Sequence, residues 1–438
     1  MVSRPASGSH PRLPSCILRA QPDMSGNARP RYLTEATVEK IDAECVIVGA
    51  GPAGLTAAIA LACAGVETAL IAKRASAPDR RTTALLHGSV NALTALGVWQ
   101  RCRAHAAPLK VLRIVDDTSR LLRAPEVRFA ASEIGLEAFG HNIENPFLVA
   151  ALEARARELA SLAWIEDEAA AVNFTDSSVR IRLQSGEAVT GRLAIAADGR
   201  RSVCRTCAAI ETEHRACAQT ALTFNLQHSR PHHDTSTEFH SESGPFTLVP
   251  LPGQRSSLVF VVDAGEAGAL AALPAAAIAQ EIERRSHSIL GAVELEPGLG
   301  SFPLVVERAR RFAAHRVALV GEAAHVVPPI GAQGLNLGLR DAATISELVV
   351  AARRDGRDVG ANELTDRYDR MRRADIMSRS LAVDLLNRSL LSDFLPLQAA
   401  RGVGLFLMRR SAALRRAAMR EGVMPLASQP RLMRGEAL

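Results

Sequence analysis

Apolar positions cluster most densely between residues 42 and 73. Val46, Ile47 and Val48 form a short β-branched run, Gly49, Gly51 and Gly54 follow at GxGxxG spacing, and residues 57–64 are mostly small and apolar. Residues 68–72 make a second apolar run. This order predicts a strand, a tight turn, a helix and a second strand. Residues 45–66 carry no charge and are long enough to imitate a membrane span. Three glycines and Pro52 in the first half argue against a lipid-facing helix, and Glu44 and Glu67 bracket it.

Downstream of Asp79 a helical stretch runs to about Arg103, and residues 111–123 alternate as a hairpin around Asp116 and Asp117. Residues 145–159 have helical spacing. Residues 179–183 and 188–196 read as paired strands joined at Ser185 and Gly186. Residues 217–263 are strand-rich, with turns at Gly244-Pro245 and Pro252-Gly253, and residues 274–290 read as a helix. Residues 316–320 predict a buried strand, followed by a glycine-rich loop and a helix over about 335–354. From Leu364 onward the pattern is mostly helical, and no internal repeat is visible. The fold class expected is α/β. A Rossmann-like domain built from residues 41–108, 140–208 and 303–360 is interrupted by a β-rich domain (109–139 and 209–302). A helical C-terminal region (361–438) follows. Ligands then belong in the crevice between the two layers.

Composition narrows this picture modestly. The 438 residues, 47% hydrophobic and 22% charged, suit a globular protein of two or three domains. Eight Arg and two Glu from residue 401 onward account for the whole net charge of +6. The near-neutral body argues against a nucleic-acid surface. Seven scattered cysteines suggest a reducing compartment without a disulfide framework, and Cys204/Cys207 lacks a second pair at zinc spacing. Residues 1–40 are aperiodic and rich in Pro, Ser and Arg, which predicts disorder; a transit-like leader and a start at Met24 both fit them.

The candidate chemistry sits at three strand ends. The glycines of the first motif provide a tight turn, close approach of a pyrophosphate, and close helix–strand packing. The helix start then offers free N–H groups and a favourable dipole. Residues 193–199 form an apolar strand ending in Asp198-Gly199, and residues 317–322 another ending in Gly321-Glu322. Carboxylates at strand ends suit a hydroxyl-rich ligand such as a ribityl chain.

Three motifs, GAGPAG, AADGRRS and GEAAHVVPPIGAQGLNLG, stand in an order and spacing that strongly resembles the FAD-dependent aromatic hydroxylases, the para-hydroxybenzoate hydroxylase-like monooxygenases. Within that group the chain looks most like the UbiH/UbiF-type hydroxylases of ubiquinone biosynthesis. That narrower likeness rests on Arg81-Thr-Thr-Ala-Leu, Ile143-Glu144-Asn145, Glu238-Phe239, Gly244-Pro245 and Pro250-Leu251. It covers residues 42–425. The resemblance implies that Gly49, Gly51 and Gly54 receive the FAD pyrophosphate and that Arg81 and Asn145 contact the cofactor. Asp198 and Gly199 should lie near flavin and phosphates, and Glu322, beside Gly321, should bond the ribityl hydroxyls. The stretch Gly331, Gln333, Gly334 and Asn336 should present N–H groups to the pyrimidine edge, where a helix start stabilises the charge of reduced flavin. Phe239, Pro250 and Leu251 are the substrate-pocket candidates, with core packing as the competing role.

Two positions depart from the family pattern. Ala72 stands where an acid often meets the adenosine ribose, and Glu322 stands where Asp is usual. His325 is expected as a hydrogen-bonded packing residue, and His228, His232, His233 and His240 as a solvated loop without metal. Asp341 fits a family contact or a polar helix face equally. Arg80, Arg200 and Arg201 are expected in solvent, with a phosphate within reach of one of them as the alternative. With no second GxGxxG, electrons would come from transiently docked NAD(P)H or a protein donor. Residues 400–420 mix apolar residues with arginines, as in a basic amphipathic helix on an anionic membrane or in a packing helix with a solvated arginine face.

The reaction the resemblance implies is hydroxylation of the aromatic ring of a polyprenylated ubiquinone precursor by molecular oxygen, through a flavin C4a-hydroperoxide. It implies a cytoplasmic protein, peripheral on the inner face of the membrane, with other quinone-biosynthesis proteins as partners. A flavin-dependent reductase or dehydrogenase of another lipid, and a non-catalytic flavin-holding subunit, are the alternatives.

Overall fold

The structure is a computed structural model that describes residues 40–73, 79, 81–119, 123–329, 331–391, 395–423 and 429–438. The expected leader and Arg80 lie outside the described residues.

The first apolar run becomes the middle of a parallel sheet. Strand Lys40–Val48 pairs in parallel with Ala188–Ala196 on one side and Thr68–Ile71 on the other. Val317–Leu319 extends the sheet beyond Ala188–Ala196, and Leu162–Ile165 beyond Thr68–Ile71, both in parallel. Every residue of Thr68–Ile71 and Val317–Leu319 is buried, as expected where both faces of a sheet are covered. By contrast, Val179–Leu183 alternates buried and exposed and pairs antiparallel with Ala188–Ala196 at the solvated margin. Helix Pro52–Cys63 is buried from Ala53 to Ala62 and packs against the long helix Gln333–Arg354.

A nine-stranded sheet forms the second layer. Its order runs His325–Val326, Gly300–Ala309, Thr212–His228, Arg255–Asp263, Pro245–Leu251, Thr235–His240, Val111–Asp116, Val127–Ala130, with Val293–Leu295 beside Thr212–His228. One face carries Phe224, Phe239, Phe246 and Phe260 in a core closed by helices Ala264–Ala271 and Ala275–Arg285. The other face looks toward the parallel layer. A small sheet of Thr82–Leu86, Gly140–Glu144 and Ala106–Pro108 joins the layers. Asn142 donates to the Pro250 carbonyl at 2.9 Å, and Thr82 donates to the Ser257 hydroxyl at 2.9 Å.

Two sequence expectations change. Strand Val111–Asp116 does not turn back at Asp116; it pairs antiparallel with Val127–Ala130 and in parallel with Thr235–His240. Asp116 instead organises the connection, accepting from the Thr118 hydroxyl at 2.7 Å and from the Ala124 amide at 2.9 Å. Strand Gly300–Ala309 also runs through the boundary expected at residue 303. It belongs to the nine-stranded sheet because Thr212–His228, at 17 residues, takes it as partner from Thr212 to Thr223.

The C-terminal region holds helices Asn362–Leu391, Leu395–Arg410 and Ala412–Val423. The single helix expected over 400–420 is divided at Ser411, whose hydroxyl accepts from the Leu414 amide at 3.3 Å, a capping bond. Leu405 and Met419 pack with Phe129 and Phe139, while Val403, Phe406, Leu407 and Leu414 stay exposed. Among the described residues no helix is long and apolar enough to cross a membrane.

Candidate active site

Strands Lys40–Val48, Ala188–Ala196 and Val317–Leu319 are neighbours and parallel, so their carboxyl ends meet. The Ala197 amide donates to the Val48 carbonyl at 2.8 Å, and the Val320 amide to the Ala196 carbonyl at 2.8 Å. At this edge the three motif glycines do different things. Gly49 has φ +105, and a Cβ there would lie 2.3 Å from the Ala197 carbonyl oxygen. A Cβ on Gly54 would lie 2.0 Å from the Gly49 carbonyl oxygen, so this glycine lets helix and strand close. Gly51 begins the helix with an ordinary φ of −67 and has no atom within 4 Å of a Cβ position. Its open side faces a cavity, beside helix-start N–H groups that lack a carbonyl one turn back.

That cavity, about 880 Å³, lies between the layers, toward the upper end of the range for ligand sites. The motifs reach it in order. Gly51 and Gly54 line it from the first, Gly199 from the second, and Gly321, Glu322, Gly331, Gln333 and Gly334 from the third. Arg81 and Asn145 line it from the ends of the joining sheet, just before strand Thr82–Leu86 and just after strand Gly140–Glu144. Gly49, Asp198 and Asn336 stand behind the wall. Asn336 is spent on structure: it donates to the carbonyls of Ala84 (2.8 Å) and Ala332 (2.6 Å) and accepts from the Leu86 amide (2.8 Å). It ties the third motif to strand Thr82–Leu86. Next to it Ala332 caps the helix at φ +54, a strained position for a residue with a Cβ.

The three substrate-pocket candidates do not line the cavity. Side chains alternate across a strand, so a shift of one residue changes the face. Phe239 falls on the covered face, against Phe246, at 2% exposure. Pro250 offers its carbonyl to Asn142, and Leu251 is buried at the strand end. The cavity wall is made instead by Glu238, Thr247, Val249 and Val259.

Asp79 was not given a role by sequence, and it organises Arg81 and Asn145. Its carboxylate accepts from the Arg81 amide (3.1 Å), the Arg81 guanidinium (2.8 Å) and the Asn145 amide group (2.8 Å). Burial opposes ionisation of Asp79, but these bonds outweigh it and hold the carboxyl below its usual range. The available signal was an acid two residues before Arg81, the spacing of an Asx turn. Glu322 is exposed to the cavity and makes no hydrogen bond to a described residue. At Ala72 the strand end has no acid; Lys73 and Glu168 pair beside it at 3.0 Å.

Behind the third motif lies a buried ion cluster. Asp341 is fully buried and accepts from the Gly321 amide (2.9 Å), His325 Nε2 (2.8 Å) and Arg372 Nε (2.5 Å). Arg372 also donates to Asp375 at 2.6 Å. Asp341 is thus a contact of the motif itself, and His325 is a hydrogen-bonded packing residue. Arg205, another residue without a sequence signal, bonds the carbonyls of Ala323 (2.8 Å) and Arg200 (2.7 Å) and so links the second and third motifs. The histidines expected in a solvated loop differ among themselves. His228 and His240 are buried and hydrogen-bonded, to Ser256 and Glu238, whereas His233 is exposed.

The donor set fits a flavin dinucleotide. Free helix-start amides suit phosphate. Glu322, whose side chain opens to the cavity, suits hydroxyl groups.

Comparison with known proteins agrees with this geometry. The family model described as FAD binding domain matches residues 42–379. The chain is 35% identical over 406 residues to the ubiquinone hydroxylase UbiL of Rhodospirillum rubrum, covering 90% of this chain and 94% of that one. It is 29% identical to the 3-demethoxyubiquinol 3-hydroxylase of Escherichia coli, over 86% of this chain and 97% of that one. The crystal structure of p-nitrophenol 4-monooxygenase PnpA from Pseudomonas putida shares the fold, with a TM-score of 0.71 at 18% identity, over 87% of this chain and 97% of that one. Motifs, cavity and relatives together make the chain a member of the FAD-binding monooxygenase family, a flavoprotein of its ubiquinone hydroxylase group.

Proposed function

We propose that the protein hydroxylates the aromatic ring of a polyprenylated ubiquinone precursor, using molecular oxygen and electrons from NAD(P)H or a protein donor. The observation that carries this reading is the continuity of the cavity. Glycine loops and Glu322 line one part of it, and an apolar wall of Leu112, Ile114, Phe129, Phe139, Met419 and Val423 lines another. A ring with a greasy tail matches the second part as a dinucleotide matches the first. Bound FAD supplies the redox and oxygen chemistry. Gly51 and Gly54 would admit its pyrophosphate, with Gly49 making the tight turn behind them; Arg81 and Asn145 would hold it from the ends of the joining sheet, and Glu322 would take the ribityl hydroxyls. Gly199 would border the flavin and phosphates, with Asp198 behind it. Backbone amides from Gly331 to Asn336, at a helix start, would favour negative charge on its pyrimidine edge. The apolar walls exclude water around the ring.

Deleting the gene and measuring accumulated quinone precursors by mass spectrometry tests this. The expected product is a precursor lacking one ring oxygen; an unchanged quinone profile overturns the reading.

A membrane-resident substrate calls for contact with the bilayer. Val403, Phe406, Leu407 and Leu414 are exposed beside the exposed Arg409, Arg410, Arg416 and Arg420. This face suits an anionic lipid surface, each arginine adding roughly 1 kcal/mol. The protein is expected to sediment with phosphatidylserine vesicles, less so at high salt, and Phe406→Ser with Leu407→Ser to reduce the bound fraction. Equal sedimentation of the double variant at both salt concentrations would remove this face from the account.

A further inference from the structure

The cavity has ionisable side chains on two sides, and they are unequal in number. Among the described residues Asp79, Arg81, Arg200 and Glu322 come from the loops around the parallel layer, and two come from the nine-stranded sheet: His325, on its edge strand and bonded to Asp341, and Glu238, in its interior. Glu238 sits mid-strand in Thr235–His240. Ile114 on one neighbouring strand and Thr247 on the other are its register partners, and Val259 lies beyond Thr247. All four side chains line the cavity. Glu238 is 9% exposed. A carboxylate this buried on a largely apolar wall is costly unless it is paired.

Its pairing is one-sided. Oε1 accepts from Nε2 of His240, itself buried, at 2.6 Å. Among the described residues Oε2 has only the Thr247 hydroxyl, at the long distance of 3.5 Å. One oxygen is therefore fixed and the other is left with acceptor capacity toward the cavity. A histidine that holds a carboxylate by one oxygen sets its direction, as a base needs before it can take a proton from a bound ligand.

We propose that Glu238 is a catalytic residue that accepts the hydroxyl proton of the substrate ring, and that His240 is its positioning residue. This rests on the function proposed above, because it needs a phenolic substrate in the cavity. In the step, the phenol O–H bond breaks, the proton forms a new O–H bond at Glu238 Oε2, and the ring oxygen keeps the electron pair. The phenolate ring is richer in electrons at the positions ortho and para to that oxygen, where a hydroxyl group is added. The ring carbon that gains the hydroxyl releases its hydrogen as a proton to solvent. The ring oxygen then recovers a proton from Glu238, which ends the cycle ionised, with one C–H converted to C–OH. The two-electron reductant and the oxygen are those of the monooxygenase reaction.

The test uses the FAD-loaded protein and ortho-prenylphenol labelled with carbon-13 at the C–O carbon, whose resonance moves downfield on ionisation. Wild-type protein is expected to bind the probe as phenolate. Glu238→Gln keeps the size and the bond to His240 but cannot take the proton. It should bind the probe as neutral phenol, with FAD content, melting temperature and KM close to wild type, and with kcat lower by about 100-fold or more. Glu238→Asp should restore part of the phenolate signal, and His240→Asn should weaken it. A neutral probe on the wild-type protein, which needs no variant to fold, overturns the proposal. So does an unchanged phenolate signal or kcat in Glu238→Gln. If wild-type protein binds the probe as phenolate but never hydroxylates it, the proposed function fails while the assignment of Glu238 as proton acceptor stands.

Discussion

Asp341→Ala is expected to lower the free energy of unfolding by about 3–5 kcal/mol, read as a fall in the urea midpoint. Arg372 is 2% exposed, and Asp341 is the acid to which its Nε donates. Removing the carboxylate leaves a buried guanidinium with Asp375 as its remaining acid, and strips the Gly321 amide and His325 of their acceptor. A loss of that size is a large part of a typical total of about 5–15 kcal/mol. Arg372→Met alone should cost a similar amount, since it strands the acid. The double variant Asp341→Leu with Arg372→Met should recover part of the loss, because no buried charge is then unpaired. A single variant that unfolds with wild type would mean that water reaches this cluster.

The same cluster sets a pH dependence. Burial resists ionisation of Asp341, but the charges of Arg372 and His325 and the bonds they make prevail and hold its carboxyl below the ordinary value. The unfolded chain, ionising at about 3.9, therefore takes up its proton first as pH falls. The stabilisation is complete at neutral pH, declines below about pH 4, and is lost once pH passes the lower folded value. Asp341→Asn should flatten that acid limb of a stability–pH curve.

The second large effect separates two glycines that stand two residues apart in one motif and serve different purposes. Gly49→Ala forces a Cβ to 2.3 Å from the Ala197 carbonyl oxygen at φ +105. Backbone strain and overpacking each cost about 1–3 kcal/mol, so a combined loss of roughly 2–6 kcal/mol is expected in the melting curve of the apoprotein. Gly51→Ala meets no atom within 4 Å and has an ordinary backbone. It should melt like the wild-type apoprotein and yet retain less FAD, because its added methyl occupies the cavity side of the turn, where the proposed site receives the pyrophosphate. Full FAD retention by Gly51→Ala would move the pyrophosphate away from this turn, and an unaltered melting curve for Gly49→Ala would contradict the close strand contact.

Much of the parallel layer was legible because its signals are local. Val46–Gly54 carries strand, turn and helix within a few residues, and the apolar strands ending in Asp198 and Glu322 repeat the form. Burial on both faces leaves an unbroken apolar run that needs no knowledge of partners. The substrate wall was less legible. Phe239 is the most conspicuous apolar residue of its strand, but it serves the helix-covered core, and the plainer Glu238 faces the cavity. Period two says that these neighbours face opposite ways; it does not say which way is the ligand side. The hairpin expected at Asp116 failed similarly, since its true partners, 127–130 and 235–240, are chosen by register across the sheet.

By itself the sequence determined the glycine turns, the strands that precede them and the helices that start on them, because backbone freedom and local apolar period act over a few residues. It also determined, through three motifs in order, that a flavin dinucleotide belongs here. Only the tertiary structure decided which side chains meet: Asp79 with Arg81 and Asn145, Asp341 with Arg372 and His325, and Glu238 with His240 on the cavity wall. The pairs in the first two groups bridge up to 66 residues of chain, and in the third a spacing of two becomes a contact only because both side chains share one face of a strand. Such meetings depend on strand register and helix packing, which are settled by the free energy of the whole fold rather than by any one segment.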